Sequence, residues 1–328
     1  MRKTIPLIIV LFAAVILCAN AFHFGFGFNG LLEISVEDQE WGVRIIPVAS
    51  LSSGGVVAGG LVFNVLRDRG FAILSALQPE NHRIVDTFHC EAIDVNIERL
   101  EVFVADGTHG VEIFKFFGPN FYKHIQTIPM KGWINSVSYI DDYVFAGSEL
   151  DGLFVVRRGE KGFELVDHIL PRYINDIERG ITVNAIAGSK YSFYVAAGDR
   201  GVLVFEKDGM TLRQKSEIPV SYAMDVAVLD GEIFVADSRE SKIKVFSEAD
   251  NVLKESFSTD RTLREVVPVD DWQHNRKLLL CRFDDSISIF SRDDFQELFS
   301  LKGAFFGIVE PRYLFSTIPF AKSEAMHR

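Results

Sequence analysis

Cysteine is scarce in this chain of 328 residues, where only Cys18, Cys90 and Cys281 occur. Cys18 belongs to an N-terminal segment that we expect to be removed, and the other two fall in repeat units that are not neighbours. A disulfide needs Cα atoms within about 7 Å of each other. We therefore predict two free thiols, and a domain that is stabilised by its apolar core rather than by disulfides.

Sequence signatures of common enzymes are also missing. The chain has no G-x-S-x-G, no H-E-x-x-H and no paired C-x-x-C, which removes the commonest hydrolase and zinc signatures. One G-x-G-x-x-G match, at residues 25–30, follows no strand and precedes no helix, so we interpret it as a chance match. The histidines show no ligand spacing and are interpreted as surface or turn residues: His82, His89, His109, His124, His168 and His274. We predict no catalytic residues and no cofactor.

Positive charge is in deficit, with 34 Lys and Arg against 45 Asp and Glu and a net charge of −11. The acids are spread along the chain and no basic stripe occurs. Binding to nucleic acid or to anionic lipid needs such a stripe to hold phosphates. The sequence therefore predicts neither nucleic acid nor an anionic membrane surface as a partner.

The N-terminus has the pattern of an export signal. Arg2 and Lys3 precede an apolar run over residues 5–17, which ends in Ala19-Asn20-Ala21. This pattern predicts a signal peptide at 1–21, a mature start at Phe22, and a secreted, periplasmic or cell-surface protein. The run is shorter than the roughly 20 residues of a membrane span, so we expect no span after cleavage. Lipid anchoring at Cys18 is the alternative, which Leu17 in the preceding position disfavours.

A phrase of two apolar strands joined by a short polar turn recurs every forty to fifty residues. It begins at Val102, Val144, Phe193, Ile233 and Leu278, and further apolar runs lie before and after each phrase. Four strands per unit at this period are typical of a propeller blade. One unit cannot bury its apolar face alone, so the units must pack against one another. The sequence therefore predicts an all-β propeller as a single domain over residues 31–328.

Blade number depends on how the ends of the chain are used. Six complete units are followed by a C-terminal remnant that holds two strands, and residues from Leu31 supply two more. Pairing of these strands would close a seventh blade without an open sheet edge. We predict seven blades, with six as the alternative, and interpret residues 22–30 as a Gly/Phe leader outside the propeller.

The phrases VFVADGTHGVEIF and IFVADSRESKIKVF resemble the LVIVD-type repeat of secreted surface propellers, which is similar in layout to the YVTN family. The match covers most of the chain beyond the N-terminal segment, but each unit departs from the pattern, as VFAGSELDG and CRFDD show. The resemblance implies a secreted or surface-anchored β-propeller. It carries no catalytic residue over to this chain.

Two sets of polar residues recur with the repeat. The first set follows the apolar strands and is interpreted as turn formers rather than a calcium site: Asp106, Asp151, Asp199, Asp237, Asp284 and Asp285. Asp and Gly are the residues that tight hairpins require.

The second set begins the predicted innermost strands: Asp94, Asn135, Asn184, Asp225 and Glu265. These five are predicted to lie near one mouth of the channel, where they would hold a divalent cation or a small ligand, or bond to the backbone.

The longer loops carry aromatic residues and arginine, which dominate protein interfaces. The candidate partner-binding residues are Trp133, Arg172, Tyr173, Tyr222 and Trp272. Packing between blades is the alternative interpretation for Trp133 and Tyr222.

We predict a non-catalytic protein-binding or scaffold module at the cell envelope. The alternatives are a metal-dependent propeller hydrolase or lactonase, and a glycan- or peptide-binding module at the channel mouth.

Overall fold

The structure is a computed structural model. It describes residues 21–311 except 38–39, 49, 76–77, 118–120, 149, 170–181, 190–191, 209–210 and 272–275. The predicted signal peptide and the Cys18 anchoring site therefore lie outside the described residues, apart from Ala21. Among the described residues no helix is long and apolar enough to cross a membrane.

The described strands form one eight-stranded sheet and five four-stranded sheets. The eight-stranded sheet, here the closing sheet, has the order β3-β2-β1-β28-β4-β5-β6-β7. Its strands are β1 Ala21–Gly25, β2 Leu31–Glu37, β3 Glu40–Ile46, β4 Gly55–Ala58, β5 Leu61–Val65, β6 Phe71–Ser75, β7 Gln78–Val85 and β28 Gly307–Pro311. A short 3-10 helix at Arg67–Arg69 connects β5 to β6.

Sheets 2 to 4 follow in chain order. Sheet 2 contains β8 Ala92–Asn96, β9 Glu101–Ala105, β10 Val111–Phe116 and β11 Tyr122–Ile128. Sheet 3 contains β12 Ile134–Ile140, β13 Tyr143–Ser148, β14 Gly152–Gly159 and β15 Gly162–Ile169. Sheet 4 contains β16 Ala185–Gly188, β17 Ser192–Ala196, β18 Val202–Asp208 and β19 Thr211–Ile218.

Sheets 5 and 6 complete the series. Sheet 5 contains β20 Ala223–Leu229, β21 Glu232–Asp237, β22 Lys242–Ser247 and β23 Leu253–Ser258. Sheet 6 contains β24 Leu263–Asp271, β25 Arg276–Phe283, β26 Ser286–Ser291 and β27 Glu297–Lys302. In each sheet the four strands are antiparallel neighbours, as in the predicted repeat unit.

The first strands of successive sheets contact one another around a ring. Contacts join β4 to β8, β8 to β12, β12 to β16, β16 to β20, β20 to β24 and β24 to β28. The circuit is closed by β28 and β4, which pair in parallel, with Val309 opposite Gly55. The predicted all-β propeller is therefore confirmed. Blade number stays a prediction; the strand order divides the closing sheet into two groups of four, as seven blades require.

Burial follows the radial position of each strand. In sheet 2 the second strand, EVFVA, is buried throughout, whereas the outermost strand, YKHIQTI, is largely exposed. A strand covered on both faces is apolar along its length. The core lies between neighbouring sheets: Phe103 of sheet 2 stacks on Tyr139 of sheet 3, with ring centroids 4.9 Å apart. Cys90 and Cys281 are buried in this way as free thiols.

The two ends of the chain meet differently from the prediction. Three strands from the N-terminal side, β1 to β3, join one described C-terminal strand, β28. The predicted leader at 22–30 is wrong, because residues 22–25 belong to β1, where Phe22 and Phe24 are buried and pair with Ile34 and Leu32. The G-x-G-x-x-G match supplies the turn between β1 and β2, which has the same backbone hydrogen bonds as the turns at 106–110 and 197–201.

Candidate functional site: the channel mouth

The first residues of the inner strands line a cavity of about 490 Å³ at one end of the ring. Every sheet contributes: the lining includes Gly55, Ala92, Asn135, Asn184, Asp225, Glu265 and Gly307. We call this end of the molecule the mouth face. It also bears the turns at 26–30, 106–110 and 197–201, because the second strand of each unit runs back to the end where the first strand begins.

Four of the five polar residues predicted to lie at the mouth line this cavity, and Asp94 does not. Asp94 is buried between β8 and β12, where its carboxylate accepts hydrogen bonds from the backbone N–H groups of Val95 (2.8 Å) and Tyr139 (2.7 Å) and from Ser138 Oγ. The mouth prediction is wrong for Asp94, because Asp94 lies two residues further along its strand than Asp225 does: Ala92 pairs with Ala105 as Asp225 pairs with Ala236.

Other members of the predicted ring also connect neighbouring inner strands. Asn184 Nδ2 donates to the Ala223 carbonyl at 2.8 Å. Asp225 Oδ2 accepts from Val266 N–H at 2.9 Å, and Glu265 Oε2 accepts from Ile308 N–H at 2.7 Å. Each bond runs from one sheet to the next around the channel. These residues therefore hold the ring of strands together, which matches the backbone-bonding interpretation.

Asn135 differs from the rest of the ring. Its Oδ1 atom is buried and has no hydrogen-bond partner. The structure explains the difference through register: β12 has an irregularity between Ile134 and Ser136, and Ser136 occupies the place that Asp225 and Glu265 take after equivalent irregularities in β20 and β24. Asn135 is consequently the polar residue of the predicted ring with free accepting capacity at the mouth.

Charge at the mouth is mixed. Burial raises the pKa of Asp225 well above its ordinary value, and the charges of Glu265 and Glu310 raise it further, against the lowering effect of N–H groups from Val266 and Val226. Arg282 donates to one oxygen of Glu265, Oε1, from Nε at 2.9 Å and from Nη2 at 2.7 Å. Hydrogen bonds between charged groups are stronger than neutral ones, so this pair holds the Glu265 carboxylate in place. The site thus presents fixed positive and negative groups to the channel.

The candidate partner-binding aromatics pack against glycine turns of the preceding sheet. Trp133 is 39% exposed, and its indole lies so close to Gly107 (φ 54°) that a Cβ there would be 3.3 Å from the ring. Tyr222 lies in the same way over Gly198 (φ 58°). Arg172, Tyr173 and Trp272 lie outside the described residues. Trp133 remains accessible while it covers the neighbouring turn.

Large apolar side chains are exposed around the mouth. They belong to turns and strand entrances of different sheets: Phe28, Phe88, Trp133, Leu150 and Phe306. Phe28 is 81% exposed. The Phe88 ring contacts the His109 ring at a tilted angle, with centroids 4.3 Å apart, and His89 meets Trp133 edge-on at 5.0 Å. Exposed aromatic groups on one face are typical of interaction surfaces, and of these five residues only Trp133 was among the predicted partner-binding residues.

The six recurring turn acids are distributed over five sheets, with only Asp284 and Asp285 in the same turn, as the turn interpretation requires. Asp106 and Asp237 are fully buried, whereas Asp199, Asp284 and Asp285 are exposed. Asp106 accepts a hydrogen bond from the backbone of His89, and Asp237 accepts from Ser221 and Tyr222. Each buried acid therefore connects its turn to the loop that precedes the inner strand of the same sheet.

No protein-family model matches the chain, and no curated protein matches it. The LVIVD-type resemblance consequently stays a prediction. Solved structures do match. A protein from Lactobacillus plantarum is 14% identical and has a TM-score of 0.69, with 88% of this chain and 98% of that chain covered.

Two further structures are similar over most of the chain. The WD40 β-propeller domain of Doa1 has a TM-score of 0.64 at 9% identity, with 84% of this chain and 90% of that chain covered. Sqt1 from Saccharomyces cerevisiae has a TM-score of 0.60 at 9% identity, with 80% and 79% covered. At such low identity these likenesses show a shared fold, and the chain is a β-propeller similar to WD40 propellers.

Proposed function

We propose that this protein is a non-catalytic, protein-binding propeller that acts outside the cytoplasm at the cell envelope. The observation that carries the proposal is the set of exposed apolar side chains on the mouth face, Phe28, Phe88, Trp133, Leu150 and Phe306. Aromatic side chains contribute large contact areas at little entropic cost, and a few such groups dominate the binding energy of an interface. The likeness to WD40 propellers supports a rigid ring that presents this face.

The geometry around Trp133 favours a partner with both apolar and polar groups. Its indole N–H donates to Glu91 Oε1 at 3.2 Å, and Arg67 reaches the other oxygen of Glu91 at 2.8 Å. The aromatic group therefore adjoins fixed charges at the cavity rim. An apolar centre with a polar surround is the usual arrangement at protein interfaces.

The binding proposal is tested by substituting apolar residues on opposite faces. Phe88→Ala with Trp133→Ala changes the mouth face, whereas Phe117→Ala with Phe121→Ala changes the opposite face, where those two residues are also exposed. We expect crosslinked partner to be lost from the first double variant alone, with both variants folded. A folded mouth-face variant that captures the same partner as the unchanged chain would refute the proposal.

The envelope location rests on the residue pattern at 2–21. Fractionation of cells that express the full chain should place a shortened protein outside the cytoplasm, and N-terminal sequencing should begin at Phe22. Replacing Ile8 and Leu11 by Arg would interrupt the apolar run and should retain the protein inside. Full-length protein in the cytoplasm of cells that carry the unchanged chain would contradict this part of the proposal.

The cavity favours a second function, the binding of a polar glycan or peptide in the channel mouth. Asn135 Oδ1 is buried without a hydrogen-bond partner, and a ligand N–H or O–H could satisfy it. Calorimetry with envelope glycans and peptides should then show binding that Asn135→Ala weakens, with an unchanged melting temperature. A flat calorimetric response from the unchanged chain would dismiss this function.

A further inference from the structure

Sheet 5 contains a buried carboxylate that a lysine neutralises. Asp237, at the end of β21, is fully buried and accepts hydrogen bonds from Lys244 Nζ at 2.8 Å and from the backbone N–H of Ser221 at 2.9 Å. Lys244 also lies 3.2 Å from Glu240. One cation thus lies between two carboxylates, which is the arrangement that makes burial of an acid tolerable.

Sheet 2 has a carboxylate at the place of that lysine. Asp106 follows β9 directly, and Glu112 lies opposite Val104 in the strand register, as Lys244 lies opposite Val235. The two sheets are therefore equivalent at these positions. Where sheet 5 has an ammonium group, sheet 2 has a second acid.

Because Glu112 replaces a lysine here, Asp106 lacks the ion pair that Asp237 has. Its side chain is fully buried, and one oxygen accepts from the backbone of His89. The other oxygen, Oδ2, has no hydrogen-bond partner and lies 3.4 Å from His109 Nδ1. A buried carboxylate oxygen without a partner is costly, so this atom indicates that the site accommodates a further group.

The electrostatics of the cluster favour a bound cation. Burial raises the pKa of Asp106, against the lowering effects of His89 N–H and His109. Burial and the charge of Asp106 raise the pKa of Glu112, against His124 and His109. Two adjacent carboxyl groups repel each other when both are ionised, so either one of them keeps a proton or a cation balances the two charges.

We propose that Asp106, His109 and Glu112 form a binding site for a divalent transition-metal ion on the mouth face. Their donor atoms all lie within 4.8 Å of one another. Imidazole and carboxylate groups together suit Zn²⁺ and its neighbours rather than calcium. Three protein ligands leave a coordination position open for water or for a donor group of a bound partner. Under this proposal His109 is a metal ligand rather than an ordinary turn residue.

The test is metal binding by the full-length chain after treatment with a chelator. We expect one equivalent of Zn²⁺ to bind and to raise the melting temperature, since a ligand that binds only the folded state stabilises it. His109→Ala and Glu112→Gln should each weaken Zn²⁺ binding by more than about tenfold. His109 is exposed on the turn, so its replacement should leave the circular-dichroism spectrum of the folded protein unchanged.

His168→Ala is the matched control. His168 is also a histidine near a turn acid, Asp151, but its ring bonds to the Asp151 backbone carbonyl and stacks on Phe154, so it is not a proposed metal ligand. This variant should bind Zn²⁺ as the unchanged chain does. The proposal is overturned if neither Zn²⁺ nor Mn²⁺ binds the folded chain at up to about 1 mM, or if the His109 and Glu112 variants retain full affinity.

Discussion

Asp106 and Asp237 occupy equivalent positions in sheets 2 and 5 but differ in their hydrogen-bond and ion-pair partners. Both are fully buried at the end of a second strand. Asp237 accepts from Lys244 and from three backbone N–H groups, those of Ser221, Tyr222 and Glu240. Asp106 keeps one oxygen without a hydrogen bond. The repeated backbone thus provides the same acidic pocket twice, and a single position, Lys244 or Glu112, decides how the charge is balanced.

Sheet 4 has apolar residues at the two equivalent positions. Ala197 stands where the two aspartates stand, and Leu203 lies opposite Val195 in the register position of Lys244 and Glu112. The apolar pair needs no cation. The residue at the facing position therefore differs in charge among the three sheets, as lysine, glutamate or leucine. Four measurements test what this difference does to stability.

Removal of Asp237 should have the largest effect. Asp237→Ala leaves Lys244 and buried N–H groups without their acceptor, and we expect a loss of about 3 kcal/mol in the free energy of unfolding. Asp106→Ala in metal-free protein removes one accepted bond and also a repulsion, and should cost about 1 kcal/mol. Denaturant unfolding measures both variants. Equal losses would show that the two pockets are energetically alike.

Removal of the lysine alone should come next. Lys244→Met leaves Asp237 with its N–H donors but without its cation, so we expect a loss of about 2 kcal/mol. Burial lowers the pKa of Lys244 and its bonds to Asp237 and Glu240 raise it, with a net increase. The ion pair therefore persists until the pH rises through that raised pKa. Lys242→Met, which removes a surface pair with Glu240, is the control and should change stability by less than about 0.5 kcal/mol.

Placing the lysine of sheet 5 at the equivalent position of sheet 2 should raise the free energy of unfolding, by a smaller amount than the losses expected for Asp237→Ala and Lys244→Met. Glu112→Lys supplies an ammonium group beside Asp106, and we expect metal-free protein to gain about 1 kcal/mol, or about 2 °C in melting temperature. The same variant should no longer bind Zn²⁺. A destabilised variant would mean that the register equivalence of Glu112 and Lys244 does not extend to their side chains.

The pH dependence of the metal-free protein should show the smallest effect. The pKa values of Asp106 and Glu112 are raised in the folded state, first by burial. Stability is therefore lost as the pH rises from the ordinary carboxyl range through these raised values. Glu112→Gln should lose less stability over this interval, as melting temperatures from about pH 4 to 7 would show. The raised pKa of Asp225 acts in both proteins and cancels in the comparison.

The repeat pattern predicted the fold because each unit carries its own strands. The phrases beginning at Val102, Val144, Phe193, Ile233 and Leu278 all coincide with second and third strands of a sheet. Residues 21–25 were missed because their partner, β28, lies at the other end of the chain, and a five-residue strand leaves almost no periodicity of its own.

The candidate site was predicted less completely, for reasons of register. The strands β12, β20 and β24 share an irregularity of one residue. Asn135 is the residue that the pairing skips, whereas Asp225 and Glu265 directly follow the skipped residue, and composition does not reveal this difference. The Asp106 cluster has the linear pattern D-x-x-H-x-x-E, which could have been found by asking which residues a hairpin turn brings onto one side. The exposed Phe306 could not be distinguished from a core aromatic by sequence alone.

The pairing of β1 with β28 also has a consequence for the time course of folding. Sheets 2 to 6 are made from neighbouring chain segments and can form as each segment emerges, whereas the closing sheet needs contacts between the two ends of the chain, which are slow to form. Until β28 arrives, β1 and β4 each have an unpaired edge, and Phe22 and Phe24 lack their final cover. A nascent chain interrupted before Gly307 would keep both edges available for pairing with other chains, so the arrival of β28 removes these two edges as sites of aggregation.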